Sequence, residues 1–446
     1  LFRSKMKRLT FILVIVGLIF YSEYGYAQEK KWTLSECIDY AVTHNIEVKQ
    51  SDNQIQNLKV EKNTLRNSFL PDLNAGASQN FTFGRSLNQS NTYENSNIQN
   101  SSFSVSTEIP IFMGFKRTAS LSQNKFDLLA AEANKELIKN NLLINVAGAY
   151  FQILLNKEIY NIALEQIQLT KEQEACTKIL IDNGKAAESQ LYDVRAQLAD
   201  DELTATEARN SLRLSFLDLV QLMELDELDE FDIDSIDGDI AIADTLSPVN
   251  IYQSALTCMP QIRQAYYALQ SKTKGIKIAK SGFYPTISFV AGMSTSYYNN
   301  NSALYENFRK QFNNNMQKSL CLTVSIPLFD RFSTRNKVRS ARIEENNARL
   351  SLDNEKKQLY KDIEQAYTDV ISAYEKYRST TKAVMANEEA HRYALEKYAA
   401  GKSTVFEYNE IKMKLADALS KQSQAKYTYL LKDRILAFYS CFTITD

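Results

Sequence analysis

Leu142, Val146, Ala149, Ile153, Asn156, Tyr160, Ala163 and Ile167 follow one another at alternating steps of four and three. Side chains at that spacing share one seam of an α-helix, the heptad signature of coiled-coil packing. The seam returns in the second half as Leu359, Ile363, Ala366, Val370, Ala373, Tyr377, Thr380 and Val384, with the same steps. Both seams lie in stretches, 111–247 and 328–446, that contain none of the six prolines. Proline is excluded from helix interiors, so each stretch can hold continuous helix. The pattern predicts a long helix over about 115–182 ended by Gly184, and a counterpart ended by Gly401, glycine being favoured just past helix C-termini. Returning helices are predicted near 188–224 and 404–440, and shorter helices near 34–68 and 249–282.

Between the short and long helical stretches the period drops to two. Leu73, Ala75, Ala77, Phe81 and Phe83 alternate with Asn74, Gly76, Ser78, Asn80 and Thr82, and Phe103, Val105, Ile109 and Ile111 with Ser102, Ser104, Ser106 and Glu108. In the second half Ile287, Phe289 and Met293 alternate with Ser288, Gly292 and Ser294, and Leu320 to Leu328 with Cys321, Thr323, Ser325 and Pro327. Such alternation marks strands with one apolar face. Each half is predicted to carry one β-hairpin, over 72–111 and 286–328, with polar connections at Ser86–Ser101 and Asn299–Gln317. Aromatic residues gather where strands meet helices, at Phe69, Phe112, Phe115, Phe283, Tyr284, Phe329 and Phe332, with a second level at Phe81, Phe83, Tyr297 and Tyr298. Two aromatic levels about an apolar band are what a membrane barrel girdle needs. A soluble two-hairpin sandwich gives the same alternation.

The markers repeat as a set. Pro110 to Gly184 and Pro327 to Gly401 are spans of equal length, and Ile109-Pro110-Ile111-Phe112 returns as Ile326-Pro327-Leu328-Phe329. The chain therefore reads as a tandem duplication: repeat one over 28–230 with its tip at 184, an acidic connection over 231–248, and repeat two over 249–446 with its tip at 401. A basic start at Met6-Lys7-Arg8, an apolar run from Leu9 to Phe20 and Gly25-Tyr26-Ala27 before Gln28 mark residues 1–27 as a secretory signal peptide.

Composition narrows the classes. A net charge of -1 gives no basic stripe for nucleic acid. The five cysteines are odd in number and unmatched between the halves, so they read as isolated small hydrophobes; whether any of them pairs is left open. The two histidines, His44 and His391, occupy unrelated repeat positions, and no metal or cofactor is expected. Ser271-Lys272 and Ser51-Asp52-Asn53 fall in the wrong order for a penicillin-binding site and lack the Lys-Thr-Gly partner. Neither half pairs a nucleophile with a base, so no enzyme is expected. The acidic run from Glu224 to Asp244 reads as a solvated connection.

Counting strands has a consequence. Four strands cannot close a barrel, and an open edge in lipid is not tolerated. Hairpins pooled from three chains give 12 strands and a wet bore, whereas two chains give a filled eight-stranded interior. The fold class expected is mainly α with a membrane β-barrel part: tandem-duplicated coiled-coil hairpins and two β-hairpins per chain, three chains forming a 12-stranded barrel above an α-helical tunnel. An exported trimeric coiled-coil spacer or adhesin without a pore is the rival.

The order helix, hairpin, long helix, returning helix, given twice, resembles the TolC-type outer-membrane factor family from about Trp32 to Phe442, as do the Ile-Pro-Ile-Phe and Ile-Pro-Leu-Phe strand ends and the glycine tips. The resemblance implies a homotrimeric exit duct in the outer membrane, extending through the periplasm of a Gram-negative bacterium. Its implied partners are a periplasmic adaptor and an inner-membrane transporter of an efflux pump or type I secretion system. Tyr398, three positions before Gly401, falls where the family has its gate tyrosine; Glu407 and Glu410 fall where the best-known gate has aspartates. At i and i+3 the two glutamates share a helix face, so a trimer would stack two carboxylate rings, which favour cations. Ser403 replaces the family's arginine and Gln190 the first-half acid, which puts a salt-bridge latch in doubt. Gly184, Lys185, Ala186 and Ala187, with Gly401, Lys402, Ser403 and Thr404, are the expected adaptor-docking tips.

Overall fold

The computed structural model describes residues 31–87, 91–225, 231–235, 247–300 and 306–440. The leader assigned to 1–27 lies outside these, as does most of the acidic connection. In chain order the elements are β1 (Lys31–Trp32), α1 (Leu34–His44), α2 (Ile46–Asn67), β2 (Asn74–Thr82), β3 (Arg85–Leu87), β4 (Tyr93–Asn95), β5 (Ile98–Met113), α3 (Lys116–Asp182) and α4 (Ser189–Met223). Then come β6 (Asp232–Ile233), α5 (Pro248–Cys258), α6 (Pro260–Lys280), a 3₁₀ turn Ser281–Phe283, β7 (Thr286–Asn299), α7 (Phe308–Asn314), β8 (Gln317–Ser325), α8 (Ser333–Ala399) and α9 (Val405–Tyr439).

Both long helices have 67 residues and both returning helices 35. Every seam position named above is buried or half-buried. The two shorter helical stretches, expected to be continuous, are each broken in two. Asn45 leaves the helical region, and its side-chain oxygen accepts the Glu47 amide at 2.9 Å, capping a new start. Pro260 forces Met259 into extended backbone and then opens α6 at its first turn.

Contacts divide the chain into two units. One comprises Leu1–Val48, Lys139–Ile251 and Ile363–Asp446. Here β1 and β6 pair in parallel, Trp32 opposite Ile233. The Tyr150 hydroxyl is within hydrogen-bonding distance of the carbonyls of Trp32 (3.1 Å) and Asp234 (2.7 Å), and Lys157 pairs with Asp232 at 3.2 Å. Part of the connection expected to be solvated is therefore stitched down, with Ile233 buried. The cysteine reading needs correction: Cys258 is disulfide-bonded and Cys321 is exposed. Lack of matching between repeats excludes a duplicated framework but not a unique bridge, and the export expected from the leader would expose the chain to oxidising conditions.

The other unit comprises Lys49–Ile138 and Tyr252–Asp362. Its centre is one antiparallel sheet in the order β2-β5-β7-β8, so β2 and β8 are the edges. Cross-strand register lines up small polar residues, Gly76–Ser104–Ser294 and Ser78–Ser102–Ser296, on one face. Ile109–Phe289–Leu322 and Ala75–Val105–Met293 line up on the other. The register slips between Pro110 and Phe112, where proline has no amide to donate to the ladder. β5 starts at Ile98, inside the expected connection, and the far connections are themselves structured: β3 pairs with β4, and α7 sets Phe308 and Phe312 against Phe103. Ile326 to Leu328, expected to extend a strand, lie beyond β8.

Each long helix is entered through the same turn. Gly114 and Phe115 take φ of 57° and 65°, and Arg331 and Phe332, their counterparts in the second repeat, take 57° and 60°. Aromatic side chains expected to form a girdle meet one another at these turns. Phe112 meets Phe115 edge-on at 5.1 Å, Phe115 meets Tyr284 at 5.9 Å, and Phe329 meets Phe332 at 5.5 Å. Phe69 lies under the Arg117 guanidinium, and Phe283 is exposed beside Tyr284.

Candidate functional site at the helical tips

The ends of α3 and α8 are built alike. At φ of 68°, Gly184 donates to Ile181 and Lys185 to Leu180; at φ of 71°, Gly401 donates to Tyr398 and Lys402 to Lys397. These are two Schellman motifs, which satisfy the last helical carbonyls and reverse the chain. A β-carbon on Gly401 would lie 3.9 Å from Leu180 and Lys185, so the two tips are neighbours.

The returning helices begin differently. Thr404 caps α9: its hydroxyl accepts the Glu407 amide at 3.2 Å while Glu407 accepts the Thr404 amide at 3.1 Å. The corresponding positions of the first tip are Ala187 and Gln190, which cannot form that box, and α4 starts without a side-chain cap. Lys185, Ala187, Lys402 and Thr404 are exposed, and Ala186 and Ser403 half-buried. Glu407 and Glu410 are both exposed on the first turns of α9, with Glu410 paired to Lys414 at 2.6 Å. Gln190 is half-buried.

Tyr398 is not on the surface. It is 1% exposed, stacks on Tyr408 at 5.1 Å, and shares a 2.6 Å hydrogen bond with the Thr177 hydroxyl. Val194, Ala394, Val405 and Tyr408 enclose it, so residues of both repeats form one small core. Burial raises the Tyr398 phenol above its ordinary value against the opposing Thr177 hydrogen bond. Burial, then Glu172, pushes Tyr408 up to about 12. His391 lies 3.2 Å from the Tyr408 hydroxyl; burial, then the Lys412 charge, lowers its pKa, and Glu165 opposes.

One helical turn further along α9 sits a group that the sequence reading missed. Lys412 is fully buried and donates to the Thr170 hydroxyl at 2.5 Å and to the Asp201 carboxylate at 3.2 Å. Thr170 donates to the same carboxylate, and Gln197 to its other oxygen at 2.8 Å. Burial lowers the Lys412 pKa, opposed by Asp201. This cluster ties α3 and α4 of repeat one to α9 of repeat two. The seam itself carried the signal: continuing the steps of three and four from Ile167 reaches Thr170 and Thr177, and from Val384 reaches His391 and Tyr398. The seam turns polar near its ends.

The chain gives twice the same set of elements, a β-hairpin strand pair and a helical hairpin, and comparison with known proteins identifies the class of outer-membrane proteins that carries it. The sequence profile of the outer membrane efflux protein family matches residues 38–224 and 251–438, and the chain belongs to that family. Its relatives include the probable outer membrane lipoprotein SilC of Salmonella typhimurium, 22% identical over 270 residues, 59% of this chain and 55% of that protein. The chain thus spans little more than half the length of that curated relative. Among solved structures, that of CusC superposes with a TM-score of 0.77 at 16% identity, covering 94% of this chain and 95% of the other. The Campylobacter jejuni CmeC outer membrane channel gives 0.76 at 18% identity, with 93% and 87% covered. Family and fold are those of outer-membrane channel proteins, not of enzymes.

Proposed function

We propose that three copies of this chain form the outer-membrane exit channel of a tripartite efflux pump or type I secretion system. The observation that carries this reading is the open four-stranded sheet. Its edges, β2 and β8, run in opposite directions, so pairing β8 of one copy with β2 of the next continues an antiparallel ladder. Three copies close at 12 strands, the smallest number here that leaves a bore rather than a packed interior. The apolar face then meets lipid, and the serine and glycine rows line the water.

Each repeat, 28–230 and 249–446, supplies one β-hairpin and one helical hairpin, linked through 231–248. The tips at 184–187 and 401–404 dock a periplasmic adaptor, which couples the duct to an inner-membrane transporter. Gating works through the polar cluster: Tyr398 with Thr177, and Lys412 with Thr170 and Asp201, clamp the two hairpins of a protomer together, and opening exchanges these contacts. Glu407 and Glu410 set a preference for cations at the mouth, with Gln190 the uncharged counterpart on the other hairpin.

Single cysteines placed along β2 should form disulfides with Cys321, exposed on β8, and give covalent trimers on non-reducing gels. The purified protein should conduct in planar bilayers. A soluble trimeric rod that neither cross-links between these strands nor conducts would instead support the pore-less spacer.

A further inference from the structure

At the junction of α6 and α8, beside the aromatic girdle, lies a cavity of about 720 Å³ lined by Lys280, Arg335, Arg339 and Arg342 together with Phe283, Tyr284 and Phe332. Among the described residues no carboxylate lies within ion-pairing distance of any of the four cations. Asp330, just before α8, is turned instead to the Thr334 amide at 2.7 Å. Arg335 and Arg339 are one helical turn apart, a like-charge spacing that destabilises a helix. Arg335 also sits in the first turn of α8, where the helix dipole disfavours positive charge.

The fold does not require this arrangement. In repeat one the equivalent positions of the three arginines are Thr118, Ser122 and Lys125, and α3 forms there just as α8 does. A second cavity on the other side of the α6 end adds Lys274 and Lys277 to Lys280, again against Tyr284 and Phe115. Four lysines fall between Lys272 and Lys280 with no acid among them.

We propose that the α6–α8 cavity binds the phosphate of an anionic phospholipid headgroup, the arginines holding the phosphate and the aromatic side chains packing on the glycerol. Arginine forks match phosphate oxygens in geometry as well as charge. Aromatic side chains that are apolar at one end and wet at the other favour the membrane interface. Because only repeat two carries the arginines, a trimer would have three such sites. The inference rests on the outer-membrane channel reading above.

The test uses full-length protein in neutral detergent, titrated with phosphatidylglycerol, with phosphatidylcholine and with soluble glycerol phosphate, and read by native mass spectrometry. Phosphatidylglycerol should bind in preference to phosphatidylcholine, and the R339Q/R342Q variant should weaken it by about tenfold per arginine. Lys280→Gln, a milder change, should weaken it in the same direction and stands in if the double variant does not fold. Equal binding of the two lipids, or wild-type affinity in the folded variants, overturns the proposal. So does glycerol phosphate binding as tightly as the lipid, since the site would then serve a free anion. Bilayer conductance, measured on the same samples, separates the two readings: lipid selectivity without a pore would refute the channel alone, and a pore without selectivity the lipid site alone.

Discussion

Replacing Asp201 by asparagine tests the polar cluster most directly. Lys412 is fully buried, and Asp201 is its only counter-ion among the described residues. Without that charge the ammonium keeps only neutral acceptors, the Thr170 hydroxyl and the asparagine carbonyl oxygen, in a site closed to water. Removing one partner of a buried pair costs about 3–5 kcal/mol, and the lower end applies because the Asp201 side chain is 12% exposed. About 3 kcal/mol corresponds to roughly a hundredfold shift toward separated hairpins. Hydrogen exchange reads this directly: amides around Ile167–Leu180 and Val405–Leu415 should lose protection in Asp201→Asn while strands β2, β5, β7 and β8 keep theirs. In bilayers the variant should open more often. The double variant K412M/D201L should recover most of the protection, since Thr170 also lies 2.8 Å from the Gln166 carbonyl and a methionine fills the lysine's path. Unchanged exchange in Asp201→Asn, or a double variant looser than the single one, would refute the claim that this pair holds the hairpins together.

Acidity should loosen the tip. His391 has a folded-state pKa below its ordinary value of 6.5, so the unfolded form takes up a proton more readily and the stabilising contribution is lost as pH falls from about 6.5 through the folded value. Tip protection measured at pH 7.5 and 5 should therefore drop, and His391→Phe should flatten that dependence. Thr404→Ala removes the cap of α9 and should cost about 1 kcal/mol, whereas A187T/Q190E should give α4 the box it lacks and slow exchange at its first turn. Gly401→Ala forces a left-handed backbone on a β-carbon and should cost about 1–2 kcal/mol, seen as faster exchange at both tips because Gly401 lies against Leu180.

Much of this molecule could be read from spacing alone. The long helices, their glycine stops and the apolar alternation of the strands depend on local rules that act over a few positions. The breaks at Asn45 and Met259 were also local, written in an Asx cap and a Pro at the first helical turn, but a dominant helical period masked them. Two features needed partners distant in sequence. β6 finds β1 across the length of repeat one, and Lys412 finds Asp201 across both repeats. No short window contains such a pair. The resemblance singled out Tyr398 by its position, but its burial and its contacts with Thr177 and Tyr408 needed partners that no short window contains. Glu407 is both exposed and engaged in a cap, so its charge and its role in starting α9 cannot be separated by a single substitution.

The unequal beginnings of α4 and α9 have a further consequence for the proposed trimer. A ring of six hairpins would alternate between ends that hold their first turn firmly and ends that fray. A partner docking on that ring would then meet two kinds of seat in alternation, and engagement would proceed in two sets of three.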